Sequence, residues 1–104
     1  NRFLVSPLAK QDLEDIWEYI GISNDNPTAA DRVIERFFEQ FRQLAATPRI
    51  GQMCDQIRLG LRRFPVGNYV IFYSHEASGL QVERILHGAR DIDALFADDE
   101  TGSP

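Results

Sequence analysis

Apolar positions recur along this chain with two different periods. Leu13, Ile16, Trp17 and Ile20 stand at i, i+3, i+4 and i+7, one stripe of a helix about four turns long. Ser6-Pro7 precedes it. Ser is a good N-cap, and Pro suits the first helical position, where its missing N–H costs nothing. A second stripe holds Ala30, Val33, Ile34, Phe37, Phe41, Leu44 and Ala45. Asn26-Pro27 opens it by the same cap-and-proline logic. It should end before Pro48, because the residue ahead of a proline avoids the helical region. The break at 21–26 is rich in Gly, Ser, Asn and Asp. Helices joined by so short a loop double back as an antiparallel hairpin.

The rest follows the strand period. Phe3-Leu4-Val5 is a short apolar strand. Residues 48–60 show neither period and read as a loop crossing from the helices to the sheet. Residues 61–65 and 69–73 are strands joined at Gly67-Asn68, two residues that tolerate the positive φ of a tight hairpin. Tyr69-Val70-Ile71-Phe72-Tyr73 is aromatic or β-branched throughout, as expected of a central strand covered on both faces. Residues 74–79 reverse the chain again. In strand 80–86, strict alternation puts Leu80, Val82, Arg84 and Leu86 on one face, with Gln81, Glu83, Ile85 and His87 on the other. Gly88 marks the exit. Asp91 caps a last short helix through Leu95-Phe96, and 98–104 is an acidic, small-residue tail expected to be disordered. The expected fold is α+β. An antiparallel helical hairpin packs on a four-stranded, mainly antiparallel sheet in a single domain, 1–97. The hairpin covers one face of that sheet, so something else must cover the other.

With 104 residues, 43% of them hydrophobic, the chain can bury one real core. No apolar run nears the roughly 18 residues of a membrane span. No charged-apolar-small leader opens the chain, which starts at Asn1 and reads as a trimmed native start. A single cysteine, Cys54, cannot pair internally, which fits a cytoplasmic protein.

Net charge is −5, but unevenly spread. Residues 58–90 hold five arginines (Arg58, Arg62, Arg63, Arg84, Arg90) against Glu76 and Glu83, a local +3. Residues 91–104 hold five acids and no base. An acidic chain argues against nonspecific nucleic-acid binding. The arginines read first as internal ion pairs, and second as grips for carboxylate or phosphate. The acids Asp12, Glu14, Asp15 and Glu18 read as the solvated face of the first helix. Two histidines and one cysteine lie far apart, without the spacing of metal ligands. Gly51, Gly60 and Gly67 are isolated turn glycines rather than a phosphate loop. No cofactor is implied. His87, near Arg84 and Arg90, reads first as a residue bonded to a turn backbone, and second as an acid–base group.

Five segments resemble one family in order. They are Ser6-Pro7 with Ala9 and Asp12-Leu13, then Ile16-Trp17-Glu18-Tyr19-Ile20, then Asn26-Pro27 with Ala29-Ala30-Asp31-Arg32. The fourth is the run from Gly60-Leu61-Arg62 through Phe64-Pro65-Val66-Gly67 to Tyr69 and Ile71-Phe72-Tyr73. The last is Arg84 with Leu86-His87-Gly88-Ala89-Arg90-Asp91. Together they are similar to ParE toxins over about residues 3–96. The resemblance implies the RelE/ParE superfamily fold and the toxin half of a bacterial type II toxin–antitoxin pair. The implied partners are a cognate ParD-like antitoxin and DNA gyrase, with operator DNA contacted only through the antitoxin and no membrane involved.

RelE-type relatives instead cut messenger RNA on the ribosome. On that alternative His87, Arg84 and Arg62 would be the catalytic set. RelE-type chains often carry a base after the tyrosine that opens the central strand and a tyrosine after the last strand. Here Val70 and Asp91-Ile92-Asp93 stand in those places, which favours the non-enzymatic reading. A third reading is a non-toxic antitoxin-binding module. On the toxin reading, Arg62, Arg63, Arg84 and Arg90 are target-binding candidates. Val70, Phe72 and Leu86 would form an open apolar face for an antitoxin segment. Replacing Val70 or Phe72 by Asp is then expected to weaken antitoxin binding in a folded toxin.

Overall fold

The computed structural model describes residues 2–88. The expected C-terminal helix, the acidic tail and Arg90 lie outside the described residues.

Both helices start as their caps dictate. In α1 (Pro7–Glu18) the Ser6 side chain accepts the Ala9 N–H at 3.0 Å. In α2 (Pro27–Ala46) the Asn26 side chain accepts the Ala29 N–H at 3.1 Å. The link is tighter than a loop: α1 passes into a π-helical turn, Tyr19–Ser23, and only residues 24–26 separate that turn from α2. A short 3-10 turn, Pro48–Ile50, follows α2.

The strands are β1 (Phe3–Val5), β2 (Gln52–Met53), β3 (Arg62–Val66), β4 (Tyr69–Glu76) and β5 (Gly79–His87). They form one sheet in the order β1-β5-β4-β3-β2. β1 lies parallel to β5 and every other pair is antiparallel. The sheet thus has five strands where four were expected. The extra one, β2, is two residues inside the segment read as loop, too short to show a period. Val66 pairs with Tyr69, so Gly67-Asn68 is a two-residue reversal. Only Gly67 sits at positive φ (59°), the glycine-first arrangement of a type II′ turn.

The alternation expected along β5 breaks. Phe72 pairs with Arg84 and Tyr73 with Val82, leaving Glu83 as an extra residue. Such a bulge exchanges the faces beyond it. Leu80, Val82 and Ile85 therefore join the core under the helices, while Leu86 joins a cluster on the opposite face. The first core packs Leu13, Ile16, Phe37, Phe41 and Leu44 of the helices against Ile71, Tyr73, Leu80, Val82 and Ile85. The second gathers Cys54, Leu61, Val70, Phe72 and Leu86, with Ile57 against it.

That second cluster corrects the expectation of an open apolar face. Val70 is 5%, Phe72 0% and Leu86 2% exposed. The aperiodic segment supplies Cys54, Ile57 and Leu61, and it folds on itself through Cys54 N–H to Leu61 O at 2.8 Å.

β1 pairs only with Leu80, Gln81 and Val82 of β5. Beyond them the edge of β5 would stand unpaired, an exposed row of donors and acceptors. The segment leading into α1 caps it instead. Ser6 N–H bonds to Val82 O (3.0 Å), the Ser6 hydroxyl to Glu83 O (2.8 Å), and Ile85 N–H to the Asp12 carboxylate (2.9 Å).

Candidate functional site

The candidate arginines do not assemble into one patch. Arg62 and Arg63 are adjacent on β3 and, as neighbours on a strand, point to opposite faces. The Arg62 guanidinium donates to Gly51 O at 2.7 Å and to Arg49 O at 3.4 Å. Arg63 lies 5.8 Å from the centroid of the Phe72 ring. Arg84, swung toward α1 at the bulge, forms a bidentate pair with Asp12 at 2.8 and 3.0 Å. Arg58 pairs with Glu83 at 2.9 Å, and Glu83 also accepts from Ser74 at 2.9 Å.

Asp12, read from sequence as part of a solvated face, is only 9% exposed. The overlooked signal was its place among Ala9, Leu13 and Ile16 on the buried stripe. The pair is nearly sealed, with side-chain exposures of 12% for Arg84 and 10% for Asp12. The Ile85 N–H completes the carboxylate's bonding. That extra bond is what lets a buried ion pair offset its desolvation.

Arg62 belongs to a locked end of the sheet. The Tyr73 hydroxyl accepts Gly51 N–H at 2.9 Å and donates to Pro48 O at 2.6 Å. Gly51 must be glycine, because a Cβ there would collide with the Tyr73 ring and hydroxyl. Burial pushes the Tyr73 pKa up from its ordinary 10.0, and the Gly51 hydrogen bond and the Arg62 charge only partly offset it.

His87 stands at the other end. It pairs with Tyr69, whereas Arg62 pairs with Tyr73. Four residues of strand, roughly 13 Å, separate the two levels. His87, Arg84 and Arg62 therefore do not converge as an acid–base and phosphate-binding set would.

His87 instead borders a cleft of about 660 Å³ between the helical hairpin and the β3–β4 turn. The lining includes Ile16, Ile20, Val33, Phe37, Val66, Tyr69 and Ile85, with Asp15, Tyr19, Arg36, Asn68 and His87 among its polar groups. Phe37, Tyr69 and His87 run along it edge to face, with ring centroids 5.7 and 5.4 Å apart. An apolar lining with a few polar groups suits a docked ligand or peptide segment. Sequence reading missed Tyr19, Arg36 and Tyr69, since the cleft forms only when the two layers meet. Among the described residues no cluster of His, Cys, Asp and Glu could hold a metal ion.

A helical hairpin on a mostly antiparallel sheet, with an open cleft and its arginines bound internally, defines a small α+β protein built for contact with other macromolecules. The family model described as the ParE toxin of a type II toxin–antitoxin system, parDE, matches residues 3–92. Toxin ParE1 of Mycobacterium tuberculosis, in both strain CDC 1551 / Oshkosh and strain H37Rv, is 34% identical over 94 residues, 89% of this chain and 95% of that protein. Toxin ParE1 of Caulobacter vibrioides is 36% identical over 87 residues, 82% of this chain and 86% of that protein. A solved structure described as a chromosomal ParDE TA system from P. aeruginosa shares the fold at TM-score 0.66 and 18% identity, covering 82% of this chain and 92% of that one. The chain belongs to the ParE toxin family of type II toxin–antitoxin systems.

Proposed function

We propose that this toxin works by protein–protein contact in the cytoplasm, with DNA gyrase as its target and a cognate ParD-like antitoxin as its inhibitor. One observation carries the choice of contact over catalysis: the basic groups are engaged inside the fold. Arg84 is held by Asp12, Arg62 by the carbonyls of residues 49 and 51, and His87 stands at the far end of the sheet. A ribosome-dependent nuclease needs such groups gathered around one phosphodiester.

The antitoxin seat is the cleft rather than the face of Val70, Phe72 and Leu86, which the chain closes by itself. Contact with operator DNA runs through the antitoxin. The test is to induce the chain alone in a bacterial host and pulse-label DNA and protein synthesis over the first minutes. Gyrase inhibition stops DNA synthesis first. An early fall in translation with DNA synthesis intact would overturn the reading in favour of the nuclease.

A further inference from the structure

Tyr19 and Ile22 are large apolar residues left 60% and 67% exposed on a single turn of backbone. Scattered exposed apolar side chains are ordinary, but adjacent ones on a rigid element mark contact surfaces. This turn is rigid. It is the π-helical segment closing α1, and its backbone is tied by Asn24 N–H to Tyr19 O (3.1 Å), Asp25 N–H to Ile22 O (3.2 Å) and Asn26 N–H to Ile20 O (3.2 Å). Gly21 is buried at its centre, where a Cβ would come within 3.2 Å of the Trp17 ring. Trp17 is itself pinned to Asp31 at 2.9 Å. The two side chains are thus presented at little further cost in backbone entropy. π-helical turns of this sort occur often at functional sites.

The surroundings carry one sign of charge. Residues 14–26 hold Glu14, Asp15, Glu18 and Asp25 and no base, and all four acids are exposed. We propose that this hairpin tip is the surface by which the toxin grips its target, and that the target offers an apolar pocket rimmed by lysine or arginine. The proposal rests on the reading that the target is a protein. Tyr19 also lines the cleft, whereas Ile22 does not. An antitoxin seated in the cleft would therefore cover half of the tip, so neutralisation could work by direct occlusion.

Ile22 separates the two surfaces experimentally. Wild type, Ile22→Ser, Glu18→Lys with Asp25→Lys, and a Leu59→Ser control are compared for inhibition of supercoiling by purified gyrase and for antitoxin affinity by calorimetry. Leu59, 86% exposed, lies far along the chain on the crossing segment. Ile22→Ser should weaken target inhibition by at least about tenfold, as an interface anchor does, and keep its antitoxin affinity, which also reports folding. The double charge reversal should slow association and abolish its salt dependence. Leu59→Ser should change neither. Full inhibition by Ile22→Ser overturns the proposal. If wild type leaves gyrase untouched, the gyrase reading fails by itself, and growth arrest on induction becomes the readout for the same variants. There, arrest by Ile22→Ser equal to wild type overturns the tip, as does a wild type that arrests nothing.

Discussion

Tyr69 and Tyr73 lie on the same strand, four residues apart and toward the same helices, yet they sit in opposite kinds of place. Tyr73 is 0% exposed, its hydroxyl clamped between Gly51 N–H and Pro48 O. Tyr69 is half-buried, stacked edge-on between Phe37 and His87 at the wall of the cleft. At the Tyr73 end the crossing segment returns over the sheet, and Arg62 is used to hold it. At the Tyr69 end the helices and the β3–β4 turn part, and a cleft remains. Identical residue types therefore serve stability at one end and recognition at the other. What decides between them is whether a later segment of chain comes back over them. Substitutions at the closed end should cost stability first, and those at the cleft and hairpin tip should cost binding first.

The sharpest break in the closed end is Phe72→Asp. Phe72 is fully buried in the second cluster, and a carboxylate there would be desolvated. A loss above about 4 kcal/mol is expected, seen as a chain unfolded or severely destabilised in urea. This reverses the expectation of a folded toxin with weakened antitoxin binding. A cooperatively folded Phe72→Asp protein would show that the face is open after all.

Asp12→Ala comes next, because Asp12 joins the two regions. It ties α1 to β5 and stands at the inner wall of the cleft. Its loss strands the Arg84 guanidinium and the Ile85 N–H together. Breaking a buried pair from one side costs about 3–5 kcal/mol, readable as a shift of the urea midpoint. Asp12→Asn should lose less, since its side-chain oxygen can still accept from Ile85.

Much of this architecture was legible where a period or a turn residue marks it. Both helices, their caps, the Gly67-Asn68 hairpin and three of the strands lie within a few residues of their expected places. Elsewhere the decisive interactions were distant in sequence. β2 is two residues long and has no period to detect. Glu83 is displaced as a bulge that nothing local signals, and the displacement sends Ile85 and Leu86 to the opposite faces from those strict alternation assigns. Asp12 resembled its solvated neighbours until Arg84, 72 residues away, closed on it. The four arginine candidates were chosen for charge, and of those described, Arg62 and Arg84 are bonded within the fold. The cleft could not be read at all, because its walls come from four elements and its opening depends on where no chain returns.

Tyr73→Phe tests the clamp with one atom. The ring stays and packs, but the buried Gly51 N–H loses its acceptor, at a cost of about 1–3 kcal/mol. The pH dependence is more telling. The folded pKa of Tyr73 is raised above its ordinary 10.0 by burial, so above pH 10 the folded chain keeps a proton that the unfolded chain releases. Stability from this group is whole below pH 10 and is lost as pH climbs through the folded value. Phenylalanine has no such proton. The stability gap between wild type and Tyr73→Phe should therefore narrow above pH 10 in paired urea titrations. A constant gap would mean that the hydroxyl titrates as freely in the fold as in the unfolded chain.

The smallest effect belongs to Arg58→Ala, which probes how the crossing segment is held on the second face. The Arg58–Glu83 pair is short at 2.9 Å, but its side chains are 37% and 26% exposed. Water and salt screen such a pair, and the median contribution is below about 1 kcal/mol. Glu83 would keep its bond from Ser74, so no acid is stranded as Arg84 is stranded by the loss of Asp12. If Cys54, Ile57 and Leu61 hold the segment down, Arg58→Ala should shift the urea midpoint only slightly. That small shift should shrink further in high salt, and antitoxin affinity should not change. A loss approaching that of Asp12→Ala would make the ion pair, rather than the apolar cluster, the element that closes this face. The closed end would then owe its closure to charge at both faces of the sheet.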